Sequence, residues 1–455
     1  MDFTNHKYVG VIMKISMTKI CLVALSCSVA LNVNAASTLF TNVNVFNGTD
    51  DKIHKNQNVL VVDNLIKEIS AKPIKTDKQT ITINGEGMTM IPGLIDMHSH
   101  MCIQEGMLVG RDSYDQMAMG ARAHVSMMQY LDQGFTTARD AGCNILGMAK
   151  AINNGLIDGP RLFPAGGFLS QTGGHADTGS FNDVPGRVDD LERHGFGYIV
   201  DGVTEARRAA RQNLRSGATQ IKIMAGGGVA SEFDPIHMTQ FSKEEMEAIV
   251  GVAEDYGTYV MAHAYHDRSV NRAIDAGVKV IEHNFLVSED TIKRMKEEGV
   301  ALSAQAVMSL EAFAEPEKIT FFSPDQKSKA AKVNAGAKQM FEWARKHDVL
   351  IVTGGDMFGP AYNTRQADNM VWMEKVGFTP YQIMKMGTSN AAEVLSWSGD
   401  MNPYKYGKLG VVEPGAYADV VLVDGNPLED ITILNDYEDK FKVIMKDGKI
   451  HKNTL

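Results

Sequence analysis

Eight short apolar runs recur through the middle of this sequence, ending near His98, Asp140, Gly166, Lys222, His263, His283, Gln305 and Asp356. Helical patterns separate them. One, Lys243 to Tyr256, opens on the capping box Ser242-Lys243-Glu244-Glu245, and another covers Glu289 to Glu298. An unbroken apolar run marks a strand buried on both faces, the condition of a parallel sheet covered by helices. Strands and helices alternating in this way fit an α/β fold, a closed (β/α)8 TIM-type barrel spanning residues 92–402. Two extra helices are expected after the eighth strand, near Gln366 to Lys375 and Pro380 to Leu395.

Both ends of the chain are β-rich. Leu39 to Phe46, Val59 to Val62 and Thr80 to Ile83 read as short strands, as do Ala418 to Val423 and Phe441 to Met445. Residues 36–91 and 403–455 therefore predict one small β-sandwich domain assembled from both termini. Ahead of it, Lys14 and Lys19 precede an apolar run from Ile20 to Leu31 and the small-residue site Val33-Asn34-Ala35. This is the pattern of a signal peptide over residues 1–35, cleaved after Ala35, with Met13 or Met17 as an alternative start. The run is shorter than the ~20 residues of a spanning helix, so no stable membrane span is expected after processing. The rival readings are an uncleaved anchor and a lipoprotein on Cys27, for which Ala24-Leu25-Ser26 is a poor processing motif. The mature protein is thus expected outside the cytoplasm, periplasmic or secreted. Cys21 and Cys27 leave with the leader, and Cys102 and Cys143 are expected as two free thiols. The net charge of -10 is spread among interspersed acidic and basic residues with no basic tract, which excludes nucleic acid as the main partner. Homo-oligomerisation is left open.

In a barrel of this kind the active site lies at the C-terminal strand ends. His98 and His100, two apart on one strand, point the same way and are suited to one metal ion, although an H-x-H pair alone is as often packed or solvated. Lys222 sits in the apolar strand Gln220-Ile221-Lys222-Ile223. It either snorkels to the rim or, shielded from water, loses its proton and adds carbon dioxide to become a carbamate. His263 and His283 end consecutive apolar strands, and imidazole suits zinc and related ions. Asp356 is placed to move a proton at a strand end, with a helix N-cap as the alternative.

This order, H-x-H, Lys, His, His, Asp, resembles the amidohydrolase superfamily over essentially the whole mature chain. Val412-Glu413-Pro414-Gly415-Ala416-Tyr417-Ala418-Asp419 resembles the closing sandwich motif of that family. Gly173-Gly174-His175, Ile221-Lys222-Ile223 and Ala262-His263-Ala264-Tyr265 are similar to its imidazolonepropionase-related branch, which contains exported Xaa-Pro dipeptidases and metallo-carboxypeptidases. The resemblance implies two divalent metal ions, expected to be zinc. His98 and His100 would bind the more buried ion, N6-carboxylated Lys222 would bridge, and His263 and His283 would bind the second. Asp356 would bind the first ion and shuttle a proton. Imidazolonepropionase itself resembles a one-metal member without the bridging lysine, so Lys222 argues against that activity.

The implied reaction is hydrolysis, by metal-activated hydroxide, of an amide bond in a Xaa-Pro-like dipeptide or an N-acyl amino acid. Two rivals are a cyclic amidase or lactonase using the same metals, and a non-catalytic exported metal-binding protein. Asp356 counts against the last, since metal storage needs no proton shuttle. Catalysis by a Cys102 thiol is disfavoured, and the sequence has no G-x-S-x-G elbow. His175, after Gly173-Gly174, and Tyr265, two residues beyond His263, are candidates to bind a substrate carboxylate. The alternatives are a loop hydrogen bond for His175 and rim packing for Tyr265.

Overall fold

The computed structural model describes residues 37–104, 115–184, 186–188 and 190–455. The leader read at 1–35 and its cleavage site lie outside the described residues. Among the described residues no helix is long and apolar enough to cross a membrane.

The apolar runs of the middle become parallel strands. Leu94–Ser99, Phe135–Asp140 and Arg161–Pro164 form one three-stranded sheet. Ile221–Met224, Val260–His266, Val280–Leu286, Ala301–Ala304 and Ile351–Thr353 run side by side in a second, seven-stranded sheet. Its first two members are the short strands Gly197–Ile199 and Phe168–Ser170, which lie outside the sequence-based reading. Burial on both faces holds along whole strands: every residue of Leu94–Ser99 and Phe135–Asp140 is buried. Helices intervene as the sequence pattern requires. Lys243–Asp255 starts on the expected capping box, Ser242 accepting from the Glu245 N–H while Glu245 accepts from the Ser242 N–H.

Two backbone bonds join the ends of these sheets. The Thr219 N–H donates to the Pro164 carbonyl at 2.8 Å, just ahead of Ile221–Met224. The Asp356 N–H donates to the His98 carbonyl, also at 2.8 Å. The first and last parallel strands are thereby neighbours, and their polar ends meet.

Two expectations are corrected. The single helix expected from Pro380 to Leu395 is two, Pro380–Met386 and Ser389–Ser396. Between them the Gly387 carbonyl turns to accept the Ile95 N–H at 2.8 Å, so the break ties the helices to the His98 strand. Cys102 and Cys143 are not free thiols but a disulfide, their Cα atoms 6.2 Å apart. The register explains the pairing: Ser99 lies opposite Asp140, so the loops leaving these two strands run side by side.

Strands from both termini pair in one further sheet of eight. Ser37–Val45 is flanked by His54–Val62 and Thr89–Pro92, and Thr89–Pro92 pairs antiparallel with Val420–Val423 near the C-terminus. Phe40, Val59, Val61, Val420, Leu422 and Val443 share its apolar core. Thr89–Pro92 runs through Gly93 directly into Leu94–Ser99, so this sheet sets the entry of the His98 strand.

Arg161 ties this sheet to the parallel strands. Its Nε donates to Asp419 at 2.7 Å, its Nη2 to Asp447 at 2.5 Å, and its guanidinium lies 3.8 Å from the Tyr417 ring centre. Asp419 and the arginine are buried, so removing one charge strands the other in a poor solvent. Arg161→Met should lower unfolding free energy by about 3–5 kcal/mol in a urea titration. A shift below about 1 kcal/mol would make the pair a surface-like contact of little weight.

Candidate metal centre

His98 lies in Leu94–Ser99 and His100 follows that strand by one residue. Their Nε2 atoms are 3.2 Å apart. Asp356 Oδ1 is 3.5 Å from His98 Nε2 and 3.3 Å from His100 Nε2. The other ring nitrogens are committed elsewhere. His98 Nδ1 lies 2.6 Å from Glu282 Oε2, and His100 Nδ1 lies 3.0 Å from the Gly142 carbonyl. A carboxylate or a carbonyl can only accept, so each Nδ1 carries the hydrogen. When neutral, both imidazoles then turn a lone pair toward the other and toward an anionic carboxylate. Such a donor set is repulsive by itself and fits a divalent cation, for which two imidazoles and a carboxylate are suitable ligands. The three ligand atoms lie within 4.8 Å of one another.

The electrostatics differ between the two histidines. Burial opposes the charged form of His100, but the Asp356 carboxylate holds its imidazole above the usual value, so a cation there would displace a proton. Burial, then the Lys222 charge, pushes the His98 imidazole well below its usual value and so keeps it a ligand. Burial alone would raise the Asp356 carboxyl, but His98, His100 and His283 hold it well below the carboxylate range. Asp356 sits at φ 50° and His283 at φ 75°, both in the left-handed region that non-glycine residues seldom adopt. Asp356 is no N-cap, since the next helix begins only at Gln366.

His263 and His283 come next. Their ring centres are 4.4 Å apart, and His283 is 5.2 Å from His98. His283 Nδ1 meets the Gln305 side-chain oxygen at 2.8 Å and Asp356 Oδ2 at 3.9 Å. His263 Nε2 meets the Gly227 carbonyl at 3.3 Å. Burial drives the His263 imidazole well below its usual value and that of His283 to about 4, leaving both neutral. Lys222 does not snorkel: it is 1% exposed. Burial brings its amine down to about 8, against the opposing pull of Glu282 and Asp356.

The two candidate substrate residues fall at the same place. The His175 ring stacks on His263 at 4.0 Å, and the Tyr265 ring stacks on His283 at 5.2 Å. Ser231 Oγ lies 2.7 Å from His175 Nδ1, so the loop hydrogen bond offered as an alternative also exists. Burial raises the Tyr265 phenol far above neutrality, so it remains a donor.

The sequence reading missed Arg139, Glu282, Gln305 and the disulfide. Arg139 and Glu282 are fully buried and ion-paired at 2.5 Å behind His98. Their signal was present as charged residues inside apolar strands. The Cys102–Cys143 disulfide excludes a catalytic thiol and links the loop after His100 to the loop of Gly142, which holds His100.

Residues 89–452 match the amidohydrolase family model. The chain belongs to the amidohydrolase family. It is a hydrolase acting on amide or peptide bonds, and its superfamily is metal-dependent. The chain is 32% identical to ochratoxinase from Aspergillus niger over 392 residues, which is 80% of this chain and 75% of that protein. It is similar to the structure of a prolidase complexed with N-methylphosphonate-L-proline, at 33% identity and TM-score 0.85 over 92% of this chain and 100% of that one. A Xaa-Pro dipeptidase with methionine in its active site is 29% identical with TM-score 0.81, over the same shares of the two chains.

Gly354 of this amidohydrolase packs on the first histidine. A Cβ there would sit 2.5 Å from His98 Cβ and 2.6 Å from the His98 backbone nitrogen, so His98 would have to move. Gly354→Ala should leave a folded protein with reduced divalent-ion uptake, read by atomic absorption after dialysis. Full uptake would show that the strand yields without disturbing the ligand.

Proposed function

We propose that this amidohydrolase cleaves the amide bond beside a free C-terminal carboxylate, in a Xaa-Pro-like dipeptide or an N-acyl amino acid. The stacking of His175 on His263 and of Tyr265 on His283 carries the reading. It sets an imidazole and a neutral phenol, both suited to a carboxylate, against the histidines that face the candidate metal centre. The likeness to a prolidase complexed with a proline phosphonate and to a Xaa-Pro dipeptidase supports the same substrate class.

In this reading two zinc ions would be held, one by His98, His100 and Asp356 and the other by His263 and His283, with N6-carboxylated Lys222 as a further ligand. When bound, such ions polarise the scissile carbonyl and acidify water. The chain's own groups do the rest. The Lys222 amine, deprotonated in part near neutral pH because burial lowers it to about 8, bonds through nitrogen to carbon dioxide and releases one proton. Asp356, anionic and at the mouth of the site, takes a proton from the attacking water and delivers it to the departing amide nitrogen. His175 and Tyr265 fix the substrate carboxylate, which orients the amide over the centre. The two parallel sheets are read as one closed (β/α)8 barrel, supported by the Thr219–Pro164 and Asp356–His98 backbone bonds.

Asp356→Asn keeps size and loses the proton acceptor. It should lower kcat by ~10²–10⁴-fold, since that is the usual share of general acid–base help. An unchanged kcat would remove Asp356 from proton transfer. Lys222→Ala should hold fewer than two ions per chain, and two tightly held ions in that variant would refute the bridge.

Carboxylate recognition has its own test. Wild-type enzyme should favour a free Xaa-Pro dipeptide over its C-terminal amide, and Tyr265→Phe should narrow that preference in kcat/KM. Equal cleavage of acid and amide by the wild type would contradict the proposal and favour a cyclic amide or lactone substrate.

A further inference from the structure

Behind His98 lies a chain of buried polar groups that are not themselves candidate metal ligands. Glu282 Oε2 accepts from His98 Nδ1 at 2.6 Å, and Arg139 Nη2 donates to Glu282 Oε1 at 2.5 Å. Arg139 Nε donates to the Met97 carbonyl at 2.7 Å, and its Nη1 reaches the Tyr259 hydroxyl at 3.3 Å. Arg139 and Glu282 are both 0% exposed. We propose that Arg139 and Glu282 are positioning residues that lock His98 in one tautomer and one orientation, committing its Nε2 lone pair to the first metal position before an ion arrives. This inference rests on the metal reading above and deepens it.

A carboxylate cannot donate, so the hydrogen on Nδ1 is dictated by Glu282 and the lone pair is left on Nε2. Nε2 is the nitrogen that lies 3.2 Å from its counterpart on His100 and 3.5 Å from Asp356 Oδ1. Glu282 performs this role only as an anion, and a buried anion needs a cation beside it. Lysine would supply charge alone. The arginine fork supplies charge and three directed bonds, so one guanidinium holds the carboxylate, the backbone next to His98 and Tyr259. Tyr259 immediately precedes Val260–His266, the strand of His263. The guanidinium therefore bonds to groups on or next to three strands that carry candidate ligands.

A packing role alone does not account for this arrangement. A buried ion pair seldom adds net stability over apolar residues of the same size. Nor does packing require the pair to end on a ring nitrogen. The strand is bent to make it possible: alternation along an extended strand would send consecutive Glu282 and His283 to opposite faces. The left-handed His283, at φ 75°, lets both reach the interior.

The test is metal affinity on full-length protein stripped of ions, measured with zinc by competition against a chromogenic chelator. Cobalt substitution adds an absorption spectrum that reports the ligand field. Glu282→Gln should bind one of the two ions about 10–100-fold more weakly, the usual cost of losing the partner of a ligand histidine. Its cobalt spectrum should change and its second ion should bind as in the wild type. Glu282→Asp, which keeps the anion, should recover part of the loss. If Glu282→Gln shows no cooperative unfolding transition, Arg139→Lys replaces it, keeping the charge and removing the fork, with the same weakening expected. Wild-type affinity and spectrum in the folded variant would overturn the proposal and leave the metal reading standing. A wild-type protein that takes up no divalent ion at all would overturn both.

Discussion

Three electron-pair donors are held close together at the heart of this protein: the Nε2 atoms of His98 and His100 and an oxygen of Asp356, mutually 3.2–3.5 Å apart. Like groups at that distance in a buried site repel one another unless a cation lies among them. Much of the surrounding structure answers this single constraint. Glu282 and the Gly142 carbonyl seize the opposite ring nitrogens, which prevents either histidine from turning away. The Cys102–Cys143 disulfide joins the loops that carry His100 and Gly142. The Asp356 N–H is bonded to the His98 carbonyl, so the third donor is registered on the first. Rigid elements that hold ligand geometry before binding spare the ion the work of organising its site.

The constraint extends into the terminal sheet. Leu94–Ser99 continues from Thr89–Pro92, a strand clasped by Val420–Val423 from the other end of the chain. The Gly93 N–H between them donates to the Asp419 carbonyl at 2.8 Å, and Asp419 is one of the two carboxylates that grip Arg161. Residues more than three hundred positions apart thus converge on the strand that presents His98. A sheet with no group of its own in the chemistry sets where the His98 strand begins.

The fold was legible where burial is uniform. Strands covered on both faces write themselves as apolar runs, so the strands that carry His98, Asp140, Lys222, His263 and His283 could be found from the sequence, although Lys222, His263 and His283 lie within their strands and Asp356 three residues beyond its own. Their order pointed to the family. What escaped was whatever depends on two segments meeting. Cys102 and Cys143 are 41 residues apart, and only the register Ser99 opposite Asp140 brings their loops together. Glu282 stands next to His283, where period-two alternation would put it on the opposite face, and the left-handed turn at His283 reverses that. The split between Pro380–Met386 and Ser389–Ser396 is likewise set by a distant group, the Ile95 N–H that claims the Gly387 carbonyl.

The two left-handed residues carry a further consequence. His283 and Asp356 adopt φ values of 75° and 50° without the freedom of glycine, a conformation that costs of order 1–3 kcal/mol at each. Such strain persists only where neighbours over-determine the backbone. For Asp356 the neighbours are the His98 carbonyl and Gly354, packed so closely on His98 that no side chain fits. For His283 they are Gln305 on its ring and the Arg139–Glu282 pair on the preceding residue. His283 lies within Val280–Leu286 and Asp356 three residues beyond Ile351–Thr353, and both face the first histidine. The strain and the cluster are therefore one feature: backbones relaxed to ordinary strand values would turn both side chains away from His98.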